Sequence, residues 1–237
     1  MIVVYCPRAS TGAKELVTWL NEHGEKAQRV KGNNYLQYAP RLVVAWGYRL
    51  PVQFKNMLNG HAPIGNKAVE LATLVKAGVL TPRVSGVKTP GWWARLHKHQ
   101  GANDLLKQLQ KGDYYVEPVY TTHEFRVHVW FDHAFRTGLK IPNRDPHHGV
   151  IRTQNSGWGL TYDQHALLDT QIDRRPIRAA AVAAVKALGY DFGAVDVGYN
   201  KAQGPIVFEV NSAPGLEGMT VERYGERIIA FARENCQ

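Results

Sequence analysis

Residues 192–200 read FGAVDVGYN and residues 205–215 read PIVFEVNSAPG. Both runs have the β-branched and aromatic density of strands, and the link around Lys201 to Gly204 is short enough for a turn, so the pair predicts a hairpin. Side chains alternate along a strand, which puts Val207, Glu209 and Asn211 on one face and Ile206, Phe208 and Val210 on the other. With Asp196 on the matching face of the neighbouring strand, three oxygen-bearing groups converge at a spacing suited to a hard cation such as magnesium. Alternation alone equally allows Asp196 and Glu209 to be solvated on an outer face. Ser212-Ala213-Pro214-Gly215 follows at once, a small-residue turn whose backbone N–H groups can approach an anion closely.

Working outward, residues 176–188, PIRAAAVAAVKAL, predict a helix with Pro176 in its first turn and Gly189 as its stop, and a last helix spans about 221–235. Upstream, Phe125, Val127, Val129 and Phe131 alternate with Arg126, His128 and Trp130, as in a half-buried antiparallel strand. Strand-like runs at 92–96 and 113–120 make this middle portion sheet-rich. The segment 141–176 is dense in Pro, Asn, Asp, His and Gly and reads as long loops with one short strand around 149–153. Residues 66–78 have helical spacing ending at Gly78. Residues 2–5, 13–23 and 42–46 read as strand, helix and strand of a small α/β lobe with parallel pairing. The chain is therefore an α/β (α+β) protein of one compact unit or two to three small lobes.

The 237 residues are 44% apolar and 21% charged, the composition of a globular protein. Cys6 and Cys236 are the only cysteines, so neither a disulfide framework nor a cysteine zinc site is expected, and a reducing cytoplasmic setting is the default. No apolar run approaches the ~18 residues of a membrane span, so no membrane partner is expected. The net charge of +9 suits an anionic partner, and nucleotide, acidic peptide and nucleic acid all meet that requirement. The ten histidines lack zinc-site spacing and read as solvated or loop residues.

FGAVDVGYN followed by FEVNSAPGLEG resembles the C-terminal metal-binding signature of the ATP-grasp superfamily, whose RimK-like and D-alanine:D-alanine ligase-like branches join carboxylates to amines. The resemblance covers roughly residues 60–230. It implies an ATP-grasp fold, in which a small N-terminal α/β lobe, residues 1–65, precedes two α+β lobes gripping ATP, residues 66–116 and 117–237. It also implies one or two Mg2+ ions, with Mn2+ able to substitute, held by Asp196, Glu209 and Asn211, and a substrate carboxylate held by the turn containing Ser212 and Gly215. NKAVELATLVKAGVLTPR resembles the family's first helix, making Lys67 a phosphate ligand. WWARLHKHQGAND resembles the strand that presents a second lysine before a glycine-rich flap, but here the position holds Arg95, with Lys98 as the alternative, and the flap shrinks to Gly101-Ala102-Asn103. YYVEPVY resembles the adenine hinge, bringing in Glu117 and Val119, and Glu124 stands at the spacing of the ribose-binding acid. By the same resemblance Arg126, Lys140, Arg152 and Asn155 face the γ-phosphate and the acyl phosphate.

What this implies is an ATP-dependent ligase acting through an acyl phosphate on an amino acid, a peptide or a protein terminus, with acidic substrates suiting the basic surface. Segments 97–103 and 141–160 are candidates for a closing lid. Two other readings compete. A basic nucleic-acid-binding protein would use Trp92, Trp93, His97, Lys98 and His99, though no recognised nucleic-acid motif supports it; an ATP-grasp protein that has lost catalysis would explain Arg95 and the short flap. A P-loop fails because Asn66 separates Gly65 from Lys67 and Ala68 offers no hydroxyl to magnesium.

Overall fold

The structure, a computed structural model, describes residues 1–32, 37–50, 52, 54–60, 65–97, 109–143 and 150–236. In chain order its strands are β1 (Ile2–Tyr5), β2 (Ala27–Val30), β3 (Leu42–Ala45), β4 (Met57–Leu58), β5 (Val84–Ser85), β6 (Trp93–Arg95), β7 (Tyr114–Val116), β8 (His123–Trp130), β9 (His133–Pro142), β10 (Trp158–Thr161), β11 (Phe192–Asn200) and β12 (Gly204–Asn211). The helices are α1 (Thr11–Glu22), α2 (Lys67–Lys76), α3 (Gln164–Asp169), α4 (Arg174–Ala187) and α5 (Met219–Asn235). They group into two compact units, each drawn from separated stretches of chain.

The first unit comprises Met1–Pro63, Gly189–Gly193 and Asn211–Gln237. Its sheet has the order β2-β1-β3-β4, parallel throughout. IVVY of β1 and LVVA of β3 are buried along their whole length, as a parallel sheet covered on both faces requires. Ser10 caps α1 by accepting the Ala13 N–H at 3.2 Å. α5 packs on α1. Gly225 makes this possible, because a Cβ there would lie 2.1 Å from the Trp19 ring. Trp46, Phe192 and Tyr224 form an aromatic centre with ring centroids 5.3 to 5.8 Å apart. Asn59 is buried at φ 57°; its Oδ1 accepts the N–H groups of Asp191 (2.8 Å) and Phe192 (3.1 Å), and its Nδ2 donates to the Phe192 carbonyl (3.0 Å).

The second unit comprises Ile64–Leu188 and Ala194–Val210. A five-stranded sheet, β10-β9-β8-β11-β12, carries most of it, beside a three-stranded sheet ordered β5-β7-β6. α4 packs on β8 and β9 through Ile177, Ala181, Ala184 and Val185. α2 contacts α4 and β5.

Several expectations are corrected. Among the described residues of 141–176, β9 runs in from upstream, β10 and α3 lie within, and the strand is at Trp158–Thr161 rather than at 150–153. The polar composition of the surrounding region masked a strand that pairs antiparallel with β9. β8 is not half-buried. Phe125, Val127 and Val129 are fully buried on the α4 side, yet His128 on the opposite face is buried too, and Phe131 sits exposed in the turn at φ 50°. β2 escaped reading because AQRV lacks an apolar run. Compactness groups β11's first residues and α5 with the N-terminal sheet.

Asn59→Ala removes three hydrogen bonds and places a Cβ-bearing residue without local polar compensation in left-handed backbone. Urea unfolding is expected to show a loss of about 2 to 4 kcal/mol, with Asn59→Gly recovering only the backbone part.

Candidate functional site

One face of the five-stranded sheet is charged. Along β8 the alternation puts Glu124, Arg126 and His128 on that face, and β9 adds Arg136, Gly138 and Lys140. Asp196 stands on β11, next to β8. Arg126 grips Asp196 with two parallel bonds, Nε to Oδ1 at 2.8 Å and a terminal nitrogen to Oδ2 at 3.0 Å. Lys140 Nζ bridges Asp196 Oδ2 at 3.1 Å and Glu124 Oε2 at 3.0 Å. Burial would push the Asp196 carboxyl up, but Arg126 and Lys140 outweigh it and hold the group well below the usual carboxylate range. Burial dominates at Glu124 instead, raising its pKa against the pull of Lys140 and Arg152. Burial opposes charge on Lys140, yet Asp196 and Glu124 keep its pKa raised.

A second cluster links α2 to β12. Lys67, in the first turn of α2, places Nζ 2.8 Å from Glu209 and 3.4 Å from Glu70. Glu70 also accepts the Val210 N–H at 3.0 Å. The Glu70 side chain is 7% exposed, against 42% for Glu209. Burial raises the Glu70 pKa despite Lys67. Glu70 lacked any sequence signal beyond its (i, i+3) spacing from Lys67, which is ordinary on a helix surface.

Of the other expected residues, Arg152 donates to the Thr121 carbonyl at 2.7 Å, lies 4.7 Å over the Trp158 ring, and keeps a buried Nε without a hydrogen-bond partner. Asn155 is exposed in a 3-10 turn, Gln154–Ser156. Arg95 ends β6. Glu117 is held by Arg83 through two bonds of 2.7 and 2.6 Å, and its N–H goes to the Arg83 carbonyl. Val119 is partly exposed just beyond. Lys98, residues 98–103 of one candidate lid segment and residues 144–149 of the other lie outside the described residues.

Asn211 is the last residue of β12, two positions beyond Glu209, and its Oδ1 accepts the Ala213 N–H at 3.0 Å. Within the first unit the following turn is seated tightly. A Cβ on Gly12 would lie 2.9 Å from Leu216 N, and one on Gly47 would lie 2.5 Å from Ala213 Cβ. Ser212 is buried and Gly215 exposed. As a donor set, two carboxylates and an amide oxygen suit a hard cation. Among the described residues no three His, Cys, Asp or Glu side chains gather for a metal, and Asp196 and Glu209 are paired with cations.

Sequence reasoning missed a buried group beside Arg126. His128 is fully buried with Nε2 2.7 Å from the Tyr162 hydroxyl, and the Arg136 guanidinium lies 3.9 Å from the Tyr162 ring centre. Gly138 clears the space, since a Cβ there would fall 2.8 Å from the Tyr162 ring. Burial, reinforced by Arg126 and Arg136, pulls His128 down from 6.5 to about 3. This corrects the expectation of solvated histidines.

No family model matches the chain. A probable alpha-L-glutamate ligase 2 from Shewanella amazonensis is 41% identical over 70 residues, 25% of this chain and 23% of the relative; one from Aeromonas salmonicida is 52% identical over 42 residues, 18% and 14%. The chain thus spans under a quarter of these relatives' length. The fold is shared far more widely. The ATP-grasp ligase PsnB, solved with minimal precursor, Mg and ADP, aligns over 98% of this chain and 97% of its own at TM-score 0.65 and 13% identity. D-alanine–D-alanine ligase from Bacillus anthracis complexed with ATP aligns over 99% and 96% at 0.63 and 13%, and the macrocyclase MdnC from Microcystis aeruginosa, bound to its precursor peptide, over 97% and 100% at 0.62 and 12%. The chain has the fold of the ATP-grasp ligases.

His128 is neutral when folded and protonates readily when unfolded, so the unfolded chain binds more protons below pH 6.5. Stability is therefore full above that pH and falls as pH drops toward 3, with His128 supplying about 1 kcal/mol per unit. His128→Gln, compared by urea unfolding from pH 7 to 4, is expected to show a correspondingly flatter slope.

Proposed function

We propose that the protein is an ATP- and magnesium-dependent ligase that joins a carboxylate to an amine. The observation that carries this reading is the charged sheet face, where Arg126, Lys140 and Asp196 interlock beside Lys67 and Glu209, in a chain with the ATP-grasp fold. Such a face presents fixed cations to phosphate oxygens and carboxylates to a metal, and needs no covalent nucleophile.

In this reading a substrate carboxylate oxygen attacks the γ-phosphorus of ATP and the bond to the bridging oxygen breaks, giving ADP and an acyl phosphate. The amine then attacks the acyl carbon, phosphate leaves, and the amine's proton passes to solvent. Lys67 and Arg95 hold phosphates, while Arg126, Lys140, Arg152 and Asn155 meet the transferring phosphoryl group. Arg152 supports its part with an unpartnered, buried Nε already poised for an acceptor. Magnesium, with manganese as a substitute, would be held by Asp196, Glu209 and Asn211 and would neutralise phosphate charge. Glu117 and Val119 would border adenine and Glu124 would reach ribose. Ser212 and Gly215 would hold the substrate carboxylate. Two buried thiols, free of disulfide bonding, fit the cytoplasm, and no described helix is long and apolar enough to cross a membrane.

The substrate is an amino acid, peptide or protein terminus of acidic character. Three arginines in the first unit support that choice, because none of Arg8, Arg29 and Arg49 pairs with a carboxylate among the described residues. Arg8 lies 5.6 Å over the Tyr48 ring, and Arg29 clamps the same loop through the Cys6 and Arg8 carbonyls. They flank the carboxyl ends of β1 and β3, between which the strand order reverses, the usual ligand edge of an open parallel sheet.

Phosphate release from MgATP is expected only with the correct carboxylate and amine, and Asp196→Asn with Glu209→Gln should lower it at least about a hundredfold; substrate-independent or absent release would defeat the ligase reading. Arg8→Ala with Arg49→Ala should raise KM for an acidic substrate roughly tenfold with little change in kcat, as expected for lost charge-assisted contacts.

A further inference from the structure

Arg152 sits in a short loop that is tied down on both of its flanks. The fully buried Ser156 hydroxyl accepts the Thr153 N–H at 2.9 Å and reaches the Ile151 carbonyl, so the residues before and after Arg152 share one anchor. Gly157, at φ 83°, turns the chain back, and the Trp158 N–H donates to the Thr153 carbonyl at 3.0 Å. The backbone is thus fixed, but an arginine side chain keeps several rotatable bonds whose ordering opposes binding. Two contacts restrain them: a terminal nitrogen donates to the Thr121 carbonyl at 2.7 Å, and the guanidinium carbon lies 4.7 Å from the centre of the Trp158 ring. A hydrogen bond at one nitrogen lets the guanidinium swing about it, whereas an aromatic face against the cation limits that swing. The guanidinium also acts on the charged sheet face, since burial raises the Glu124 pKa while Lys140 and Arg152 pull against it.

We propose that Trp158 is a positioning residue that holds the Arg152 guanidinium in one orientation for the γ-phosphate of ATP. This rests on the ligase reading above, in which Arg152 meets the transferring phosphoryl group. Trp158 touches no reacting atom in this role. It acts through Arg152 alone, so its loss is felt by a nucleotide that carries the γ-phosphate and not by one that lacks it. The ring and the guanidinium come from the same anchored loop, which sets their spacing before any ligand arrives.

The test is calorimetric titration of MgATP and, separately, MgADP into wild type, Trp158→Phe and Trp158→Leu, without turnover substrates. Leu keeps an apolar side chain on β10 but offers no aromatic face; Phe keeps the face. Trp158→Met is a second non-aromatic variant, used in place of Leu if that chain does not fold. The non-aromatic variant is expected to raise the Kd for MgATP about five- to tenfold, the scale of a lost cation–π contact, and to leave the Kd for MgADP unchanged. Phe should restore most of the MgATP affinity. Equal weakening of both nucleotides would make the ring a general support of the site and overturn the proposal. Unchanged MgATP affinity in the non-aromatic variant, or a Phe variant as weak as it, would overturn the proposal as well. A wild type that binds neither nucleotide would instead sink the ligase reading, and this inference with it.

Discussion

The site depends on keeping Asp196 ionised inside the sheet. A carboxylate taken out of water is costly unless its lone pairs and charge are met, and here the Arg126 fork and Lys140 meet both oxygens. That requirement ties three adjacent strands, β9, β8 and β11, to one another through side chains as well as backbone. Removing Asp196 leaves Arg126 without the carboxylate it grips and Lys140 with Glu124 alone, so the pairs are coupled through that one residue. The apolar work of the sheet is done on its opposite face, under α4, which leaves this one free for chemistry.

The same arrangement explains why burial alone is a poor guide to role. Glu124, Glu70 and His128 are all buried, yet the first two are met by lysines and the third meets the phenol of Tyr162. The histidine is held neutral by burial, reinforced by two nearby arginines, whereas each carboxylate has a cation beside it.

The hairpin at the C-terminal end was the most legible part, because period-two alternation and the VDVGYN and FEVN runs agree on strand and face. The faces of Asp196 and Glu209 were readable for the same reason, each sitting at a fixed phase of a strand, whereas Lys67 was singled out only by resemblance to the family's first helix. β2 and β10 were not, since AQRV and WGLT take their stability from neighbours rather than from their own composition. Glu70 and His128 escaped because their importance comes from tertiary partners, Val210 and Tyr162, that no local window contains. The carboxyl-edge arginines were visible only as part of a net charge, until the sheet order placed them together.

The division of the first unit has a consequence for how the chain is made. Its aromatic centre joins Trp46 to Phe192 and Tyr224, and its buried Asn59 is satisfied by Asp191 and Phe192. A growing polypeptide leaving the ribosome therefore presents four strands with an unfinished core for as long as some 130 further residues take to be synthesised. The second unit, almost complete by Val210, is able to mature before the one whose chain began first. Synthesis order and folding order are thereby reversed, and the nascent N-terminal sheet is the piece that a chaperone would have to shelter.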